Sequence, residues 1–364
     1  MKKYDYVIVG AGLFGSVFAR EMTDRGRSCL VIDKRKHIAG NCYTKKNQNI
    51  DVHVYGPHIF HTSNKKIWDY INQFTEFNHF TYRPKVNHKD KLYSFPINLF
   101  SLYQIWGVKN PDEAKKKLNE VKVKITDPAN LEEWILSQVG EEIYKIFFYG
   151  YTKKQWGCDP KNLPASIIKR LPIRLSMDDN YFNDCYQGIP KKGYTDIFVK
   201  MLNGIEVRLE TDFIEEQKYF ESIGEKIIYT GAIDELFDYE LGDLEWRSLD
   251  FKNSFPENED VQGNAVINYT EEEIPYTRII EHKHFTFDSS SKTILTKEYP
   301  IKWDRNKEKF YPINNFKNQD LYEKYLNKLD FSKYVIGGRL AEYKYYDMHQ
   351  VIASALHKAQ KEYE

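Results

Sequence analysis

The chain has 364 residues, 53 basic and 53 acidic, with a formal net charge of zero. That balance argues against a general nucleic-acid or anionic-membrane footprint and leaves only local basic patches open. No apolar run approaches the roughly 20 residues of a membrane span, so neither a nucleic-acid partner nor stable membrane insertion is expected.

Four cysteines, Cys29, Cys42, Cys158 and Cys185, show no paired metal-ligand spacing, which argues against a disulfide framework and structural zinc. The opening MKKYDYVIVGAG lacks a small-residue cleavage site, so a cytoplasmic protein is expected. Tyr4 to Val9 reads as a strand running into Gly10-Ala11-Gly12-Leu13-Phe14-Gly15. Val17, Phe18, Glu21 and Met22 continue as a helix that Gly26 stops. Ser28 to Ile32 forms a second strand ending at Asp33, about 20 residues past the glycine turn, the spacing at which a carboxylate reaches a ribose hydroxyl. Together these elements predict a dinucleotide site. The segment DKRKHIAGN follows, then YGPHIFHT. His58 and His61 are three apart, but Pro57 and the lack of a matching acid cluster count against a metal, and none is expected.

Lys89 to Phe95 reads as a strand, and Leu131 to Val139 and Ile143 to Phe148 as amphipathic stretches. Gly150 and Gly157 bracket Tyr151 to Trp156 as a turn. A helix at Thr195 to Leu202 and a strand at Lys226 to Thr230 precede the alternating stretches AVINYT and KTILTKEYPI. Near the end, Tyr334-Val335-Ile336 reads as a strand, followed by Gly337-Gly338, Arg339 and a tyrosine-rich turn. Val351, Ile352, Ala355, Leu356 and Ala359 then share one helical face, and Asp347 with Gln350 resembles a capping box. A helix start beside glycine and arginine is also an anion site.

In chain order, GAGLFG, HIAGN, YGPHIFHT, GYTKKQWG, YQGIPKKGYT, NAVINYT, PYTRIIEHKHF and GGRLAEYKYYD resemble the UDP-galactopyranose mutases, over essentially the whole length. The resemblance implies an α/β fold: a discontinuous Rossmann-like FAD-binding domain at 1-76, 188-243 and 319-364, with an inserted helical domain at 98-187 carrying a mobile substrate loop. An antiparallel β-sheet domain would occupy 77-97 and 244-318. The family implies a homodimer that interconverts UDP-galactopyranose and UDP-galactofuranose for cell-surface polysaccharide, without net oxidation. Its reduced FAD is expected to attack the anomeric carbon through N5 as UDP departs, and the adduct's opening lets the 4-hydroxyl close in place of the 5-hydroxyl.

Carried over by motif, Gly10, Gly12, Phe14, Gly15, Asp33, Lys34 and Asn41 would bind FAD. His58, Ile59, Gly338, Arg339, Tyr346 and Asp347 would join them, the helix after Asp347 aiming its amino end at the flavin ring. Arg170 matches a mobile-loop arginine and Arg278 a fixed diphosphate partner, while Arg247 and His58 complete the catalytic set. Tyr181, Tyr311 and Tyr345 match diphosphate-contacting tyrosines. Phe147, Tyr151, Thr152 and Trp156 suit a uridine pocket, and Asn268 lies near uridine or sugar. Tyr82 stands where family members commonly present Asn, in the substrate region. The alternative, a flavin oxidoreductase of amine-oxidase type, shares the cofactor domain, but an amine would be repelled by the arginines.

Overall fold

Both faces of the strand Tyr4–Val9 are apolar, and covering both requires layers on either side. In the computed structural model, which describes residues 3–168 and 171–364, this strand is the centre of a five-stranded parallel sheet. The order is Tyr334–Ile336, Gly224–Tyr229, Tyr4–Val9, Cys29–Ile32 and Glu206–Arg208. Tyr6, Ile8 and Val31 pack with the helices Leu13–Asp24, Tyr194–Met201 and Met348–Tyr363. Val7, Leu30, Ile32 and Ile227 pack on the other side with Phe213, Phe220 and Ile223. The buried Ile352, Ala355 and Ala359 form the inner face of the last helix, as their spacing requires.

The chain divides into two units. The first comprises Met1–His79, Asp184–Trp246 and Lys309–Glu364, and the second Phe80–Asn183 and Arg247–Glu308. The helices and the sheet that the sequence reads as separate domains both lie within the second unit. Its core gathers Leu102, Leu118, Leu131, Ile135, Val139, Ile143 and Phe148 from successive helices. Its strands run in the order Trp246–Ser254, Leu295–Lys302, Arg278–Glu281, Val266–Tyr269, Lys85–His88 and Lys91–Ser94. One departure from an antiparallel sheet is that Lys85–His88 runs parallel to Val266–Tyr269. The two come from distant parts of the chain, so no hairpin imposes an antiparallel pairing.

A second departure concerns GYTKKQWG. The glycines do not bracket a turn, because Gly150–Trp156 is a helix. Only Gly157 takes the left-handed conformation, with φ +68°, and it closes the helix. Gly150 is helical and small for a different reason: a Cβ there would lie 2.2 Å from the Thr270 carbonyl oxygen. All four cysteines are free thiols. Among the described residues no helix is long and apolar enough to cross a membrane.

Candidate functional site

In the first unit the site begins where the strand Tyr4–Val9 gives way to the glycine turn. The helix Leu13–Asp24 starts at Gly12, which has no side chain to cap it, so its first amides are available to an anion. Asp33 is nearly buried and braces the turn, its Oδ2 accepting from the Ala11 N–H at 2.8 Å and its Oδ1 from the Arg35 N–H at 2.8 Å. Gly40 packs on Gly12 so closely that a Cβ on Gly40 would lie 3.0 Å from the Gly12 Cα. Cβ atoms on Gly10 and Gly15 would likewise meet Thr230 Oγ1 at 2.1 Å and the Gly10 carbonyl oxygen at 2.0 Å, so the glycines let the turn pack closely, and the free amides at the helix start fit the diphosphate of a dinucleotide. Phe14 is buried, its ring lying under Gly337, where a Cβ would come within 2.0 Å of it.

Lys34 is exposed. Its neighbour Arg35, which the site residues carried over from the family omitted, turns inward instead. It donates to Asn41 Oδ1 at 3.0 Å and lies 4.5 Å from the centre of the Tyr55 ring. The signal was an arginine two residues past the ribose acid, offset by one from the lysine. Ile59 is buried, and His58 holds its Nδ1 proton against the Gly56 carbonyl at 2.9 Å. The His58 N–H donates to His53 Nδ1 at 3.1 Å. His61 is paired with Asp184 at 2.5 Å and stands edge-on to His349 with ring centres 5.0 Å apart. Burial and then the nearby His61 pull His349 below the usual imidazole range.

At the carboxyl end Asp347 caps the helix Met348–Tyr363 through a box with Gln350, whose Oε1 accepts from the Asp347 N–H at 2.8 Å. The remaining first-turn amides lie outside the helix's own ladder and can face an anion. Arg339 follows Gly338, whose φ is +87°. Its guanidinium donates to the Tyr346 carbonyl at 2.8 Å and sits over the rings of Tyr345 and Tyr311, 5.1 and 5.8 Å from their centres. Those two rings stack with centres 5.9 Å apart, and burial, then Glu342, pushes the Tyr346 phenol up to about 12.

In the second unit, sheet register makes the site. Asn268 lies opposite Arg278, and Arg278 opposite Glu298, so three adjacent strands place them in one row. Arg278 donates from Nε and Nη2 to Glu298 Oε2 at 2.9 and 2.7 Å, and Glu298 is fully buried. A guanidinium seated on a buried carboxylate is fixed in direction, as directed donation to an anion requires. Tyr82 is hydrogen-bonded to Arg278, and burial raises its phenol far above the usual range. Its ring packs with Tyr181 and Phe182 at 5.1 and 5.7 Å.

The helix Gly150–Trp156 presents half-buried Tyr151 and Trp156 and buried Thr152. Phe147 is deeper, stacked on Phe95 at 5.9 Å and edge-on to Tyr93 at 5.7 Å, so it belongs to the core of the second unit. Arg247 is 7% exposed, and its guanidinium turns toward the end of the Gly150–Trp156 helix. Arg170 lies outside the described residues. The structure thus gathers Arg339, Tyr311 and Tyr345 in one unit, and Arg278, Asn268, Tyr82 and Tyr181 in the other.

Comparison with known proteins gives the family. A family model described as UDP-galactopyranose mutase matches residues 146–345, and one described as an NAD(P)-binding Rossmann-like domain matches residues 8–74. The chain is 40% identical to a dTDP-fucopyranose mutase of Escherichia coli, covering 97% of each chain. It is also 40% identical to a probable UDP-galactopyranose mutase of Klebsiella pneumoniae, covering 99% of this chain and 94% of that one. Among solved structures, a reduced UDP-galactopyranose mutase superposes with a TM-score of 0.77 at 14% identity, covering 99% of this chain and 94% of that one. A putrescine oxidase shares the fold, with a TM-score of 0.59 at 11% identity and 98% of each chain covered.

Proposed function

The chain belongs to the UDP-galactopyranose mutase family, and from that premise we propose that it interconverts UDP-galactopyranose and UDP-galactofuranose with FAD bound in the first unit. The observation that carries the reading is Arg278 seated on buried Glu298 beside Tyr82 and Asn268. A fixed cation among phenols is suited to a diphosphate leaving group, which must be held between departure and return. It is unsuited to a cationic amine, and this sets the amine-oxidase reading aside.

Reduced FAD would supply a nucleophilic ring nitrogen, N5, for the anomeric carbon and recover it at the end, so no net oxidation occurs. The amides at Gly12 and after would hold the cofactor's diphosphate, and Asp33 would accept from a ribose hydroxyl. The first-turn amides after Asp347 would favour negative charge on the reduced ring. Tyr151, Thr152 and Trp156 would hold the base, and Arg278, with Arg170 joining it, the diphosphate. In the first unit Tyr311 and Tyr345, with Arg339 over their rings, would be donors to an anion.

A second reading is favoured by the identity to a dTDP-fucopyranose mutase and by the aromatic wall of Tyr82, Tyr181 and Phe182. In it the substrate is a dTDP-linked 6-deoxyhexose, whose methyl group suits an apolar wall. One experiment separates the two: incubate dithionite-reduced protein with UDP-galactofuranose and, separately, with dTDP-fucofuranose, and resolve the products by chromatography. Conversion of the first to its pyranose at the higher kcat/KM supports the main reading. Preference for the second substrate replaces it. Loss of reductant in proportion to product would return the protein to the oxidoreductases.

A further inference from the structure

A helix of seven residues does not hold itself together in water, so Gly150–Trp156 depends on what is packed against it. At its start, Gly150 lies against the Thr270 carbonyl. Along its flank, the Lys154 ammonium donates to the carbonyls of Tyr269, Ile274 and Tyr276 at 2.8, 2.9 and 2.9 Å. At its end stands Arg247, on the strand Trp246–Ser254 and opposite Lys302. Its Nε donates to the Gln155 carbonyl at 2.8 Å and its Nη2 to the Lys154 carbonyl at 3.1 Å. Its Nη1 lies so close to Gly157 that a Cβ there would be 2.5 Å away. All three guanidinium nitrogens are therefore directed at the last turn. The last carbonyls of a helix lack intrahelical donors and carry the negative end of its dipole, and a buried cation answers both needs.

We propose that Arg247 is a positioning residue for the nucleoside, holding the turn that carries Trp156, and not a ligand of the diphosphate. The inference rests on the reading that Gly150–Trp156 holds the base. Thr152 and Trp156 lie one turn apart on one face of that helix, so anchoring the Lys154 and Gln155 carbonyls fixes the spacing between them. The same contacts make Gly157 obligatory twice over, by its positive φ and by the guanidinium lying on it. Thermodynamically, Arg247 acts on every ligand that contains the nucleoside, whatever its phosphate count.

The test compares uridine with UDP, and thymidine with dTDP alongside, by calorimetric titration of the flavin-loaded protein. The variants are Arg247→Met, Arg247→Lys and Trp156→Ala. Losing two donors from the helix end should weaken nucleoside and nucleoside diphosphate by the same factor, roughly tenfold for Arg247→Met. Arg247→Lys, which keeps a cation there, should recover part of both. KM should rise by that factor while kcat moves less. If UDP weakens and uridine does not, Arg247 binds the diphosphate and the proposal falls. If Trp156→Ala weakens uridine while both Arg247 variants leave it at the parental value, the base site stands and the role of Arg247 falls. If Trp156→Ala itself leaves uridine and thymidine unchanged, the helix does not carry the base, and the underlying reading falls with the inference. Arg247→Lys serves as the measurement if Arg247→Met fails to fold.

Discussion

The two units build their sites from different materials. In the first, the groups that would meet the cofactor's diphosphate and reduced ring are backbone amides, made available by glycines and held by Asp33 and Asp347. In the second the groups that would meet the substrate are side chains directed by partners: Arg278 by Glu298, and those of the helix Gly150–Trp156 by the anchors Lys154 and Arg247. A backbone site fails when atoms are added, because a new Cβ meets neighbouring chain and displaces the backbone that presents the amides. A side-chain site fails when atoms are removed, because a buried partner is left uncompensated. The difference makes flavin binding and nucleotide turnover separable by mutation.

The largest expected effect is at Arg278. Arg278→Ala should retain the visible flavin spectrum and lose about 2–4 kcal/mol of transition-state stabilisation, roughly 30- to 1,000-fold in kcat/KM. It should also lower the melting temperature, because Glu298 is left buried without its cation. Adding Glu298→Gln should restore stability without restoring turnover. If the pair regains activity, the loss came from the uncompensated buried carboxylate, and the guanidinium is not the diphosphate's partner.

Next comes a pH effect confined to the second unit. His282 is fully buried, with Nε2 2.7 Å from Thr296 Oγ1, and burial lowers it from 6.5 to about 3. Between those values the unfolded chain binds a proton that the folded chain refuses, so stability rises with pH across that window and is lost as pH falls below 6.5. From pH 7 to pH 5 the loss should be about 2 kcal/mol. His282→Asn should flatten the pH dependence of the melting temperature, and an unchanged slope would assign it to other groups.

Two adjacent residues in the first unit should respond with opposite sign. Gly40→Ala adds a Cβ 3.0 Å from the Gly12 Cα at φ +51°, and should cost about 1–2 kcal/mol, seen as weaker FAD binding with uridine affinity unchanged. Ala39 already sits at φ +78°, so Ala39→Gly should relieve strain and raise stability by about 0.5–1 kcal/mol in a denaturant titration. A destabilised Ala39→Gly would mean that the buried methyl outweighs the backbone strain.

The same contrast explains what could be read in advance. The glycine turn, Asp33 and the capping box were legible because backbone sites depend on spacing along one stretch of chain. Glu298 was not, although KTILTKEYPI read correctly as a strand, because its partner is set by the register of Leu295–Lys302 against Arg278–Glu281. Arg247 was legible as an embedded arginine, but its direction depends on a helix nearly a hundred residues earlier in the chain. That helix was itself misread as a turn, since glycine marks both a left-handed cap and a close approach, and GYTKKQWG has one of each. Arg35, which donates to Asn41 and packs on Tyr55, was not among the residues carried over, because a strand exit does not specify which side chain turns in.

The central claim is that flavin serves this chain as a nucleophile and not as an oxidant. It is tested most directly by following conversion of UDP-galactofuranose under anaerobic conditions with the flavin held reduced, and again with it held oxidised, while the flavin absorbance is recorded throughout. Many turnovers per flavin in the reduced state, no net consumption of reductant and no turnover in the oxidised state are the predicted result. Full turnover with the flavin kept oxidised would contradict it.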